Sequence, residues 1–376
     1  MSASSDDNGI DWLQQAVPQS ECLSPYVPGK PVAQLLRERG LTDEIPPHVI
    51  KLASNENPFG PPPAAMAAIR DAASEVHRYP DGNATALKAV LASHHGVNAD
   101  QILLGNGSNE VLELLIRSFA GVGDAVIYSQ RGFMVYALAT IAAGADGVAV
   151  PETDGLSHDL DGMAAAVNAQ SNVICIANPN NPTGTMHTLV ELQRFLDRLP
   201  RHLVVIIDEA YGDFVAEELG ESIGVLHHPG LVITRTFSKA YGLAGLRVGY
   251  AVADAALLAV VNRFREPFNL NLIAQAAAIA ALSDRDWVLA RAADVVAEQK
   301  RLESALAGMG LLLAPCHGNF ILIHHPQAAE LVSELEGQGM ILRSLAPYGM
   351  WDAVRITVGL PEENDRLLVL LAGWAE

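Results

Sequence analysis

A short run of β-branched and aliphatic residues that stops abruptly in a polar or glycine-rich cluster, followed by a helical pattern, recurs along this chain. It occurs in "QILLGNGSNE" (101–110), "NVICIANPNNPTG" (172–184), "LVVIIDEAY" (203–211) and "LVITRTFSK" (231–239). Runs such as Val204 to Ile207 show no polar alternation, which suits strands buried on both faces. Strand followed by helix, repeated, is the pattern of a mostly parallel central sheet, so the expected class is α/β. In open α/β sheets ligands gather at the carboxyl ends of the strands. There this sequence places its unusual polar residues.

Between the strands, "EVLELLIRSFAG" (110–121) has the apolar spacing of an amphipathic helix and predicts a stop at Gly121. Residues 287–309 read as a long helix of mixed charge. The strand pattern thins after about residue 270 and returns in "NFILIHH" (319–325), "MILRSL" (340–345) and "AVRITVGL" (353–360). The expected organisation is an N-terminal tail and substrate-covering segment over 1–45 that packs with the small domain, a large domain over 46–270 and a smaller α+β domain over 271–376.

Composition removes several function classes. The net charge of −19, from 24 Lys and Arg against 43 Asp and Glu, repels a polyanion, and no local basic patch offsets it. No window reaches the roughly 18 continuous apolar residues of a membrane span. The polar start "MSASSDDNG" is unlike a signal peptide. Cys22, Cys175 and Cys316 lie far apart without a CxxC spacing, as reduced thiols of a cytoplasmic protein would. The adjacent pairs His94-His95, His227-His228 and His324-His325 lack the i, i+4 spacing that puts two imidazoles on one helix face, so no metal is expected.

Taken singly, the candidate residues have plain readings. Lys239 is a surface lysine, "GNGSNE" a turn and Asp208 a helix cap or core ion pair. Together they describe a site. A lysine at the carboxyl edge of a buried strand is partly desolvated, which lowers its pKa and makes a usable amine. Thr236 and Ser238 supply hydroxyls and Arg247 a two-pronged cation, which make a phosphate cup beside that amine. The glycines of "GNGSNE" let backbone N–H groups converge at the positive end of the helix that follows. Asp208, closing an apolar run, needs a cationic partner, and a protonated ring nitrogen serves. Amine, cup, aspartate and a ring-facing aromatic are the elements of a site for pyridoxal 5'-phosphate.

The ordered motifs "SPYVPGKP", "KLASNENPFGP", "HRYPDGNATALK", "LGNGSNEVLELL", "ANPNNPTGT", "DEAY", "TRTFSKAYGLAGLRVGY", "GNFILI" and "VRITVGLPEEN" span about Ser24 to Leu360. With them the chain resembles the fold-type I pyridoxal-phosphate aminotransferases, and within these the histidinol-phosphate aminotransferase family. The resemblance implies that Lys239 carries the cofactor, Asp208 meets its ring nitrogen, Tyr211 and Asn181 donate to its 3-oxygen, and Phe133 stacks on the ring. Gly107, Ser108 and Asn109, with Thr236, Ser238 and Arg247, hold the phosphate in this reading. Tyr79 reaches across a homodimer to the neighbouring phosphate. Tyr26, Asn55, Arg343 and Arg355 contact substrate, the two arginines as anion clamps. Lys239, Asp208 and Tyr211 are the residues expected to take part in the chemistry.

The implied reaction is transamination between L-histidinol phosphate and 2-oxoglutarate. An aromatic or prephenate-type amino donor fits the same guanidiniums with its carboxylate, and related scaffolds decarboxylate phospho-amino acids. A cofactor-sensing regulator would need a DNA-binding module, for which the acidic N-terminus leaves no room. Arg131, just before the ring-stacking residue, is read as a solvated charge. Tyr348 and Met350 are candidates for lining a pocket.

Overall fold

The computed structural model describes residues 12–23, 25, 31–38 and 49–375. After the two-residue strand β1 (Ile50–Lys51) come β2 (Ile102–Asn106), β3 (Ala125–Ser129), β4 (Asp146–Val150), β5 (Ser171–Ala177), β6 (Val204–Asp208), β7 (Leu231–Thr236) and β8 (Val248–Ala253). These last seven form one sheet in the order β2-β8-β7-β6-β5-β3-β4. Its neighbours from β4 to β7 pair in parallel, while β8 runs antiparallel to both β7 and β2.

The unbroken apolar runs have the burial that their composition requires. All five residues of β6 are buried. Alternation sends Val204 and Ile206 into the core shared with Leu112, Leu115 and Tyr136, and Val205 and Ile207 into the core shared with Leu192 and Phe195. Asp208 continues the even series, so its carboxylate lies on the Tyr136 side of the sheet. Register places Asp208 opposite Ala177 on β5 and Thr234 on β7.

The helix after β2 spans Ser108–Phe119 and leaves through Ala120 in an extended conformation. Gly121, expected to stop the helix, takes no positive φ, because the helix has already ended at the extended Ala120. Helices Leu272–Ser283 and Arg285–Gly308 fill the stretch in which the strand pattern thins. Next come β9 (Leu312–Ala314), β10 (Phe320–His324), β11 (Met340–Ile341), β12 (Arg343–Ser344) and β13 (Ala353–Thr357). An antiparallel sheet runs β12-β13-β10-β9, and β11 pairs in parallel with β1. That pairing and the hydrogen bond from Thr357 N to Leu52 O bring residues 50–57 beside β13. No helix among the described residues is long and apolar enough to cross a membrane.

Candidate active site

A cavity of about 230 Å3 opens where β5, β6 and β7 end. Ala177, Asp208 and Thr236, the last residues of those strands, line it, as do Asn55, Ser108, Asn109, Phe133, Asn181, Tyr211, Ser238, Lys239, Arg247, Arg343 and Arg355. Residues far apart in sequence therefore converge as expected. Four of the lining residues are basic and one, Asp208, is acidic, so a strongly anionic chain keeps a locally cationic cavity.

Asp208 is 3% exposed. Its Oδ2 accepts from Tyr136 Oη at 3.0 Å and its Oδ1 from Thr234 Oγ1 at 2.9 Å. Burial lifts the carboxyl to a pKa of about 6, against the pull of those two donors. Neither donor was expected from the sequence. Thr234 is two residues before Thr236 on the same strand, and period-two alternation gives both one face, which is the signal that points to it. Tyr136 has no such marker: its apolar neighbours make it look like core.

Lys239 Nζ donates to Ser54 O at 3.1 Å and lies 5.7 Å from the centre of the Tyr211 ring. Burial first, then the positive charge of Arg355, lower the amine to a pKa of about 7, with Glu56 opposing. Tyr211 Oη accepts from Asn55 Nδ2 at 2.8 Å, which leaves its own proton to donate into the cavity. Burial raises that phenol to about 12, so it stays protonated at neutral pH. Asn55 takes a left-handed φ of 54° and is fixed by Thr357 Oγ1 and, through its carbonyl, by Asn319 Nδ2. Asn319 is a further support that motif reading missed.

The anion cup is assembled by close backbone approach. Gly107 has φ 84°, and a Cβ there would come within 2.4 Å of Arg247 Nη2. A Cβ on Gly249 would meet Ser108 N at 2.2 Å. Only glycines let β8, the turn after β2 and the guanidinium meet at the N-terminus of helix Ser108–Phe119, where free N–H groups favour an anion. Ser238 N donates to Thr236 Oγ1 at 3.1 Å, and Arg247 Nη1 reaches Ser238 Oγ at 3.4 Å.

At the other end stand the two remaining arginines. Arg355 is buried on β13, donates to Asn181 Oδ1 and to Ala53 O, and lies over the Phe320 ring. With Asn181 Oδ1 engaged by Arg355, the amide nitrogen is the group Asn181 can offer as a donor. Arg343 is the register partner of Arg355 on β12. Tyr348 lines the cavity beside them, whereas Met350 is buried in the core.

Other expected residues lie elsewhere. Tyr79 is 82% exposed, outside the cavity of its own chain, and stacks on Phe268 at 4.7 Å. Tyr26 lies outside the described residues. Arg131 is half-buried rather than solvated: its main chain binds Glu152 and its guanidinium the carbonyl of Gly155, so it clamps a neighbouring turn. His95 bonds Tyr250 Oη, His324 bonds Asp352, and His228 accepts from Gly230 N. Among the described residues no three His, Cys, Asp or Glu side chains converge as metal ligands.

These features fit pyridoxal 5'-phosphate. A buried carboxyl raised toward neutrality awaits a cation, a lysine amine is depressed toward neutrality, and a glycine-cleared cup presents Arg247 and helix N–H groups to a phosphate. The class I and II aminotransferase model matches residues 47–370. A histidinol-phosphate aminotransferase 2 of Pseudomonas fluorescens is 46% identical over 365 residues, spanning 96% of this chain and 98% of that protein. A histidinol-phosphate aminotransferase of Methylobacillus flagellatus is 46% identical over 93% of this chain and 94% of its own. The crystal structure of histidinol-phosphate aminotransferase from Sinorhizobium meliloti in complex with pyridoxal-5'-phosphate matches with a TM-score of 0.85 at 28% identity, covering 96% and 97% of the two chains.

Proposed function

We propose, from the premise that this chain belongs to the class I and II aminotransferases and within them to the histidinol-phosphate aminotransferases, that it moves the amino group of L-histidinol phosphate to 2-oxoglutarate. The products are imidazole acetol phosphate and L-glutamate, a step of histidine biosynthesis. The observation that carries this reading is the pairing of Arg343 with Arg355 in a cavity that also holds Lys239 and Asp208. One half-reaction brings a phosphate monoester and the other a dicarboxylate, and two guanidiniums on adjacent strands grip either anion.

Pyridoxal 5'-phosphate supplies an electron sink that makes loss of the substrate α-proton feasible. Lys239 is its attachment point. Displaced by the substrate amine, Lys239 Nζ would be free again, and as an amine whose pKa lies near 7 it would be largely available at neutral pH to take the proton from substrate Cα. Asp208, held by Tyr136 and Thr234, faces the ring nitrogen as a carboxylate. Tyr211 Oη and Asn181 Nδ2 would donate to the ring oxygen, and Phe133 would pack against the ring. Gly107, Ser108, Asn109, Thr236, Ser238 and Arg247 hold the phosphate.

The largely exposed ring of Tyr79, outside the cavity of its own chain, supports a homodimer in which it completes the partner's phosphate site. Asn55 joins the arginines around the substrate and also orients Tyr211, and a substrate contact remains the role proposed for Tyr26. We assign a cofactor domain to residues 46–270 and a smaller domain to 271–376, in a cytoplasmic enzyme; of the N-terminal segment, helix Gln19–Cys22 packs on helix Val135–Ala143 of the cofactor domain and Leu35 on Ile341 of the smaller one. In the direct test, cofactor-loaded protein given L-histidinol phosphate and 2-oxoglutarate forms one L-glutamate per donor consumed, and a phospho-amino acid offered instead releases no carbon dioxide. Absence of glutamate, or release of carbon dioxide, overturns the assignment.

A further inference from the structure

The side chain of Tyr136 touches two parts of the site without lining the cavity. It is 1% exposed, in the first turn of helix Val135–Ala143. Its hydroxyl donates to Asp208 Oδ2 at 3.0 Å. Its ring meets the Phe133 ring edge to face, with centroids 5.9 Å apart and planes at 88°. Two turns hold this stretch: before Phe133, Gly132 N donates to Ser129 O, so closely that a Cβ on Gly132 would meet that oxygen at 2.9 Å, and after it Tyr136 N donates to Phe133 O. Thr140 Oγ1 in turn donates to Tyr136 O at 2.7 Å.

We infer that Tyr136 is a positioning residue that fixes, through one side chain, both the aromatic wall over the cofactor ring and the carboxylate at the ring's nitrogen. This rests on the reading that the cavity takes pyridoxal 5'-phosphate with Phe133 on its face and Asp208 at its edge. A planar heterocycle bound between the two needs their mutual angle set. Phe133 on the loop after β3 and Asp208 at the end of β6 belong to separate elements, and Tyr136 touches both. A hydrogen-bond donor to a buried carboxylate also favours its ionised form, which the ring nitrogen requires. The titratable groups acting on Asp208 are Tyr136 from the helix and Glu209 beside it on the chain, while the Asp208 charge in turn raises Cys175 on β5 and Tyr211. Of these Tyr136 alone donates a hydrogen bond to it, while Glu209 raises its pKa.

The test compares full-length wild type with Y136F and Y136L, reading the dissociation constant of pyridoxal 5'-phosphate against pH and the visible circular dichroism of the bound cofactor. Y136F keeps the ring that supports Phe133 and loses the donor. It is expected to weaken cofactor binding about tenfold at neutral pH, to move the acid limb of binding to higher pH, and to keep the visible dichroism. Y136L is expected to lose dichroism as well. Placing 3-fluorotyrosine at 136 preserves volume and strengthens the donor, so its acid limb moves to lower pH, and this arm stands if Y136F does not fold. Wild-type affinity and an unmoved acid limb in Y136F, or an unmoved limb with 3-fluorotyrosine, overturn the inference. Wild-type protein that takes up no cofactor overturns instead the reading on which it rests.

Discussion

Arg343 and Arg355 are register partners on adjacent antiparallel strands, and both side chains reach one cavity. They are not equivalent. Arg355 is 7% exposed and also orients Asn181, whereas Arg343 is only partly buried. R355Q is therefore expected to lower kcat/KM by about 100- to 1,000-fold in both half-reactions, since it strips a buried fork and releases Asn181 together. R343Q is expected to lower it about tenfold, more for the phosphate ester than for glutamate. Single-turnover rates with each donor check this, and equal losses for the two variants would contradict it.

Lys239 makes stability depend on pH with a definite sign. Its folded pKa of about 7 lies below the ordinary 10.5, so between those values the unfolded chain binds more protons. The stability of the cofactor-free enzyme then rises with pH across that window and is lowest below it. K239M removes the buried ammonium. The variant is expected to melt about 2 °C or more above wild type near pH 6.5, an advantage that fades as pH climbs toward about 10. A constant offset in Tm across the range would refute the assignment of a buried, depressed amine.

At Gly107 a methyl group meets both a left-handed φ of 84° and Arg247 Nη2 at 2.4 Å. G107A is expected to weaken cofactor binding by at least about tenfold and to destabilise the fold by about 1 kcal/mol or more. G121A is the control, because nothing lies within 4 Å of its added Cβ and its φ is ordinary. Equilibrium binding and thermal melts of the two variants decide the point.

Tyr79 lies outside its own cavity, so a shared site predicts complementation. A hybrid of one K239A chain and one Y79A chain contains a single site that combines an intact Lys239 with the partner's Tyr79. Co-expressed, differently tagged hybrids are expected to show about half the activity of wild type per dimer, set by one intact site of two. Activity no higher than that of Y79A alone would remove Tyr79 from the partner's site.

Much of this site was legible because catalytic residues sit where strands end, and strand ends are local events. Asp208 after "VVII", Lys239 after "LVITRTFS" and the glycines of "GNGSNE" each carry their own signal. What could not be read was created by packing between distant segments. Tyr136 gained its role because a helix after β3 happens to lie over the end of β6, and Asn319 because β10 passes behind Asn55. The reversal of β8 was equally hidden, since a buried antiparallel strand has the same apolar composition as a parallel one. Arg131 was misread as solvated for a related reason: its partners, Glu152 and Gly155, are contributed by a turn some twenty residues on.

The central claim is that L-histidinol phosphate is the preferred amino donor of this cavity. Its most direct test mixes cofactor-loaded enzyme with L-histidinol phosphate, L-phenylalanine or L-tyrosine and follows the loss of the visible absorbance of the lysine-bound cofactor in a single turnover. The amino-donor step is thereby isolated from oxo-acid preference. The account predicts that L-histidinol phosphate reacts at least about a hundredfold more efficiently, equivalent to roughly 2.7 kcal/mol at the transition state. Aromatic amino acids that match or exceed it would contradict the account and reassign Arg355 to carboxylate recognition.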